Sequence, residues 1–214
     1  EARKVWDKTP SAPRRVLTLD TGKKNPRNGE GDLIRLKDGR ILFIYTEYVG
    51  DSMHDHAPAH IVKRYSPDDG ETWTEPVEVF PREGKQNDMS VSLIRLKDGR
   101  LALFNLRKNS AEDCVPVVRF SVDEGGTWSA PKDCLLPGET DYYVLNNARV
   151  EQLKSGRIVL PLAKHSAKGE GWSAAKKLYG RLSCVYSDDG GVTWKKGEEY
   201  AVSDAEGKLV LVQE

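Results

Sequence analysis

SPDDGETW, residues 66–73, packs a serine, two aspartates, a glycine and a tryptophan into eight positions. Alone it reads equally as a loose calcium loop, an acidic active site or a β-turn. The same spelling returns as SVDEGGTW at 121–128 and SDDGGVTW at 187–194. All three fit Ser-x-Asp-x-Gly-x-Thr-Trp, so the stretch belongs to a repeat. A side chain that performs chemistry has little reason to recur identically in every copy of a repeat. The box aspartates are therefore expected to be staples that accept backbone N–H groups at a turn, helped by the serine. Gly70, Gly125 and Gly191 are expected to supply the positive φ of that turn, and Trp73, Trp128 and Trp194 to fold back onto the sheet.

A second repeat lies upstream of each box. GDLIRLKDGRILFIY (31–45), VSLIRLKDGRLALFN (91–105) and ARVEQLKSGRIVLPL (148–162) align without gaps. Each is two apolar, β-branched-rich runs around Lys-Asp-Gly or Lys-Ser-Gly, the pattern of a tight hairpin. A further strand-like run (HIVKRYS, VPVVRFS, LSCVYS) leads into each box, and a short strand such as EPVEVF can follow. No stretch keeps a helical period. The unit is thus four antiparallel strands recurring about every 60 residues, and repeated four-stranded sheets are the blades of a β-propeller. The expected fold is all-β: an N-terminal strand at about 14–20, blades at about 30–80, 88–136 and 145–203, and the start of a fourth at about 208–214.

Connection parity divides the molecule into two faces. The short repetitive links, the hairpin turns and the boxes, fall on one side. The longer, dissimilar ones fall on the other: TEYVGDSMHDHAPA, RKNSAEDC and AKHSAKGEGWSAAKKL. Irregular loops on a rigid scaffold are where binding residues gather.

The bulk composition excludes several classes. With 33 basic and 33 acidic residues and 38% hydrophobic content, and a mean hydropathy of −0.60, the chain has an ordinary globular composition. It carries no basic block for nucleic acid and no apolar run long enough to span a membrane. It opens on Glu1, which reads as a processed or trimmed product. The compartment stays open, with a secreted or periplasmic setting slightly favoured. Cys114, Cys134 and Cys184 are odd in number and lack CxxC spacing, which argues for buried free thiols over a disulfide framework or zinc site. His54, His56 and His60 cluster in the first long loop, but without a dense ligand set they read as polar loop or substrate contacts. No metal or other cofactor is expected.

Three Ser-x-Asp-x-Gly-x-Thr-Trp boxes spaced through four-stranded units resemble the Asp-box (BNR) repeats of the sialidase superfamily, over nearly the whole chain. The resemblance implies a six-bladed propeller of which this chain supplies about three blades, the remainder coming in cis or from a second copy. It implies an exo-glycoside hydrolase that releases a terminal acidic sugar, sialic acid, from glycans through a tyrosine nucleophile. Two alternatives keep the fold: a non-catalytic glycan- or protein-binding propeller, and a glycosidase or lyase for another acidic sugar. By position, the resemblance assigns Arg27 to the substrate carboxylate, although its setting, NPRNGEGD, departs from the family's Arg-Ile-Pro spelling. It assigns the acid/base role to Asp55, with Asp51 as competitor, and points Asp88 at the sugar. Asn147 and Arg149, at the start of the third blade, can meet substrate or serve structure. Glu214 would assist the tyrosine. Tyr142 and Tyr143 lie in a blade where the resemblance puts no nucleophile, so that group would come from outside this chain.

Overall fold

The computed structural model describes residues 15–165, 181–198 and 205–207, and every regular element among them is a β-strand. The first unit is β1 (Arg27–Arg35), β2 (Ile41–Tyr48), β3 (Ala59–Ser66) and β4 (Val77–Glu78). The second is β5 (Asn87–Arg95), β6 (Leu101–Ser110), β7 (Asp113–Ser121) and β8 (Lys132–Asp133). In the third, the first strand is broken into β9 (Tyr143–Val144) and β10 (Glu151–Gln152), followed by β11 (Ile158–Lys164), β12 (Arg181–Ser187) and β13 (Lys195–Lys196). Each unit is an antiparallel meander. Neighbouring units touch through one parallel pair apiece, Ala59 with Asn87 and Cys114 with Tyr142. Of the N-terminal strand expected at about 14–20, residues 15–20 form no ladder with the described residues. The segment is instead held by side-chain bonds, Asn28 Nδ2 donating to the carbonyls of Leu19 and Asp20. Residues 208–214, expected to begin a fourth unit, lie outside the described residues.

The hairpin turns follow from their spelling. Leu36 N donates to Arg40 O at 2.8 Å and Gly39 N to Leu36 O at 3.1 Å, and the same pair of bonds recurs at Leu96–Arg100 and Leu153–Arg157. Gly39, with φ of 91°, takes the left-handed position that closes the loop.

The boxes are closed by their own side chains. Ser66 Oγ accepts from Gly70 N at 2.8 Å, while Asp68 accepts from Thr72 N at 2.8 Å and Thr72 Oγ1 at 2.7 Å. Ser121 with Asp123 and Ser187 with Asp189 repeat this set. The second and third boxes also seat on the preceding unit. Lys63 Nζ donates to Gly125 O at 2.8 Å, and Arg100 Nη2 donates to Gly190 O at 3.3 Å. Trp128 packs on a core of Leu42, Ile44, Ile61, Leu93 and Leu103 between the first two units. Trp194 meets Phe104 edge-on at 6.2 Å in the larger core between the second and third. Each fully buried Leu or Phe in these layers adds about 2 kcal/mol.

The innermost strands of the first two units carry a bulge at one equivalent position: Glu30 and Ser90 have φ of 53° and 60°, and the β1–β2 and β5–β6 registers shift there. In the third unit Ala148, one residue later in the repeat, has φ of 54°. After the bulge, a side chain of one unit accepts a backbone N–H of the next: Asp32 from Leu93 at 2.8 Å and Ser92 from Arg149 at 3.1 Å. Gly31 is required by contact, since a Cβ there would lie 2.6–2.8 Å from Phe43, Tyr45 and the Ile44 carbonyl.

Candidate active site

On the face away from the boxes, the starts of β1 and β5 meet the ends of β2 and β6. Arg27 opens β1 opposite Tyr48, the last residue of β2, and its guanidinium lies 4.4 Å above the Tyr48 ring. From the 49–58 loop, Asp55 Oδ1 lies 2.5 Å from Arg27 Nη1, which also donates to Met53 O at 3.1 Å. Arg27 Nη2 lies 3.6 Å from Glu30 Oε1. One guanidinium therefore bridges two carboxyl groups.

The second unit grips this loop by its backbone. Asn87 Nδ2 donates to Asp55 O at 2.9 Å and to Ala57 O at 2.8 Å. Lys108 Nζ donates to the same Asp55 carbonyl at 3.0 Å and to the Tyr142 hydroxyl of the third unit at 2.8 Å. Lys108 is fully buried. Burial pulls its ammonium below the ordinary lysine value, against the nearby negative groups. Asp55 is thus anchored by its main chain while its carboxylate stays 56% exposed.

Desolvation dominates the rest of the site. Burial raises the Glu30 carboxyl above its ordinary range, outweighing the pull of Arg27, and Asp55 adds to the rise. The Ser90 hydroxyl and Lys108 oppose it more weakly. Burial also pushes the Tyr48 phenol far up, with Glu30 adding, so Tyr48 is a neutral platform beneath Arg27.

Of the residues expected from sequence, Arg27 and Asp55 come together. Asp51 is exposed in the same loop. Asp88 is fully buried, with Oδ2 accepting from Glu83 N at 2.7 Å and Gly84 N at 3.5 Å. Its carboxylate holds the crossing between the first two units and turns no surface to solvent, and burial raises it too. Asn147 Nδ2 donates to Gly31 O at 3.0 Å. Arg149 is exposed, and among the described residues its guanidinium has no carboxylate partner. Glu214 lies outside the described residues. His60 sits between Glu47 and Glu78 at 3.4 and 3.2 Å, while His54 and His56 stay in the exposed loop. Among the described residues, no three His, Cys, Asp or Glu side chains converge as a metal set. The three cysteines are unbridged, two buried and Cys184 half-buried.

Glu30, Tyr48 and Lys108 escaped the sequence reading. Tyr48 ends and Lys108 lies near the end of a strand that reads as an ordinary amphipathic run. Glu30 had a usable signal, an ionisable residue between Gly29 and Gly31 in the least hairpin-like part of the repeat.

In fold, the chain is similar to a Dyadobacter fermentans protein of unknown function, with TM-score 0.66 and 21% identity over 86% of this chain and 57% of that one. It is similar to a Trypanosoma rangeli sialidase mutant displaying trans-sialidase activity, with TM-score 0.64 and 17% identity over 90% of this chain and 36% of that one. A family 117 glycoside hydrolase from Zobellia galactanivorans, Zg3597, gives TM-score 0.61 and 16% identity over 86% of this chain and 59% of the other. The chain thus spans between about a third and three fifths of these proteins' lengths. No curated protein matches it. The architecture is all-β and related to that of sialidase propellers. The BNR repeat-like domain profile matches residues 52–211, and the chain belongs to that family.

Proposed function

We propose that this chain forms part of a sialidase-like exo-glycoside hydrolase that releases a terminal acidic sugar from glycans. The observation that carries the reading is the Arg27–Asp55 pair on the loop face, anchored jointly by the first two units. In this reading Arg27 turns its guanidinium to the sugar carboxylate, where two parallel hydrogen bonds favour arginine. Asp55 exchanges protons at the glycosidic centre, and the exposed Arg149 adds a second contact for the anion. Asp88 shapes the crossing loop beside the site. Glu214 and a tyrosine from outside this chain would complete a six-bladed ring, in cis or from a second copy.

The test uses the full-length protein that carries this chain, assayed against sialosides and uronic-acid glycosides. Asp55→Ala is expected to lower kcat on the order of 100-fold. Unchanged turnover in that variant removes the role. Glycan binding by the wild type without any turnover makes the protein a binding propeller.

A further inference from the structure

We propose that Glu30 is a second catalytic carboxyl of this site, the proton donor to the leaving oxygen, with Asp55 acting as the base. The inference rests on the glycoside-hydrolase reading above and assigns its acid. Three features of the molecule lead to it.

The first is repetition and its exception. The bulge at position 30 recurs at 90 with almost the same φ, so its backbone belongs to the scaffold. The aligned positions of the second and third units hold Ser90 and Asn147, and only the first unit mounts an ionisable group there. The second is the carboxyl's setting. Glu30 is 25% exposed overall, yet its Oε2 is buried with no hydrogen-bond partner. A carboxylate oxygen without a donor is costly to bury, whereas the neutral acid tolerates the same position. The third is division of labour across Arg27. Asp55, more exposed, is in direct ion pair with Arg27, while Glu30 stands farther off at 3.6 Å. Two carboxyl groups whose surroundings differ in this way are how one site holds an acid and a base at once.

The groups that bear on Glu30 come from every neighbouring element. They are Arg27 on its own strand, Tyr48 on β2, Asp55 on the 49–58 loop, Ser90 on β5 and Lys108 on β6. Burial outweighs the favourable ones and keeps the proton on Glu30 above the ordinary carboxyl range. In the step itself, the glycosidic C–O bond breaks with its electron pair going to the leaving oxygen, which takes the proton of Glu30. The oxygen of the tyrosine from outside this chain forms the new bond to the anomeric carbon and gives its proton to Asp55. Water then takes the tyrosine's place at that carbon and gives a proton to Glu30, while the departing tyrosine oxygen recovers its proton from Asp55, so both carboxyls return to their starting state.

The experiment is Glu30→Gln in the full-length protein, assayed on two glycosides of the same acidic sugar. One carries an alcohol leaving group, the other 2,4-dinitrophenolate, which departs without a proton. The expected result is a loss of about 100-fold in kcat/KM on the first and less than about 3-fold on the second. The alkaline limb of the pH–rate profile should disappear with it. Glu30→Asp, which keeps an acid, is expected to retain that limb. Equal losses on both leaving groups, or no loss on either, overturn the assignment while leaving the hydrolase reading intact. No turnover of any acidic-sugar glycoside by the wild type removes both. A readout independent of turnover is the infrared carboxyl band lost in Glu30→Gln: a protonated band persisting above pH 4.5 is expected, and its absence counts against the proposal.

Discussion

The two faces of this molecule treat acidic side chains in opposite ways. On the box face, Asp68, Asp123 and Asp189 are exposed and surrounded by donors. The Thr72 hydroxyl holds Asp68 below its ordinary value, the Thr127 N–H and hydroxyl bring Asp123 down to about 2, and the Thr193 hydroxyl holds Asp189 well below the usual carboxylate range. On the loop face, Glu30 and Asp88 are desolvated and pushed up, and Lys108 is pushed down. Hydrogen-bonded, charged and repeated is the signature of a staple. Desolvated, under-partnered and unrepeated is the signature of a group that can exchange protons.

The largest expected effect breaks the stapled side. Gly125 has φ of 82°, and a Cβ there would lie 2.8 Å from Leu42 Cδ2 of the preceding unit. Gly125→Val combines a left-handed β-branched residue with overpacking, and should cost about 3 kcal/mol. Urea denaturation of the 214-residue chain measures it, and a cost below about 1 kcal/mol would mean that the box does not seat tightly.

A smaller effect sharpens the same side. Ser121→Ala leaves the buried Gly125 N–H without its 2.8 Å acceptor and should cost about 2 kcal/mol. The acid limb adds a check. The folded value of Asp123 is depressed to about 2 from 3.8, so its stabilisation is present above pH 3.8 and is lost as pH falls toward 2. Asp123→Asn should flatten the stability curve across that window. A curve of unchanged slope there would contradict the stapling role.

The smallest effect has the opposite sign and belongs to the loop face. Because Glu30 is raised in the folded chain, its favourable term is complete below pH 4.5 and is lost as pH rises through the folded value. Glu30→Gln is therefore expected to stabilise the protein at pH 7 by about 1 kcal/mol, the gain shrinking as pH falls through the raised folded value and gone by pH 4.5. Thermal unfolding across pH reads it. A loss at pH 7 would mean that the Arg27 contact outweighs desolvation, which would equalise the two faces.

What could be read in advance follows the same division. Boxes and hairpin turns are local: Ser121, Asp123, Gly125 and Thr127 make their bonds within a few residues, so spelling alone reveals them. Parity pointed to the irregular face on which Arg27 and Asp55 sit, and the resemblance carried by the repeats singled out those two residues on it. Glu30 was not, since its orientation depends on a bulge that a period-two reading passes over. Lys108 was hidden differently: its burial depends on Tyr142 and on the Asp55 carbonyl, partners 34 and 53 residues away in other units. Asp88 shows the converse, a residue well aligned by position whose side chain is committed to the backbone of Glu83 and Gly84.

The direction in which the boxes seat gives the chain an order in time. The socket of the first unit, with Lys63 at its edge, is filled by Gly125, 62 residues later in the sequence. On a ribosome that adds about 5–20 residues per second, the first unit emerges several seconds before the piece that clamps it. Its apolar flank, with Leu42 and Ile61 at the centre, is uncovered for that interval. Each sheet is thus finished by its successor, and the nascent molecule always carries one open seam at its growing end.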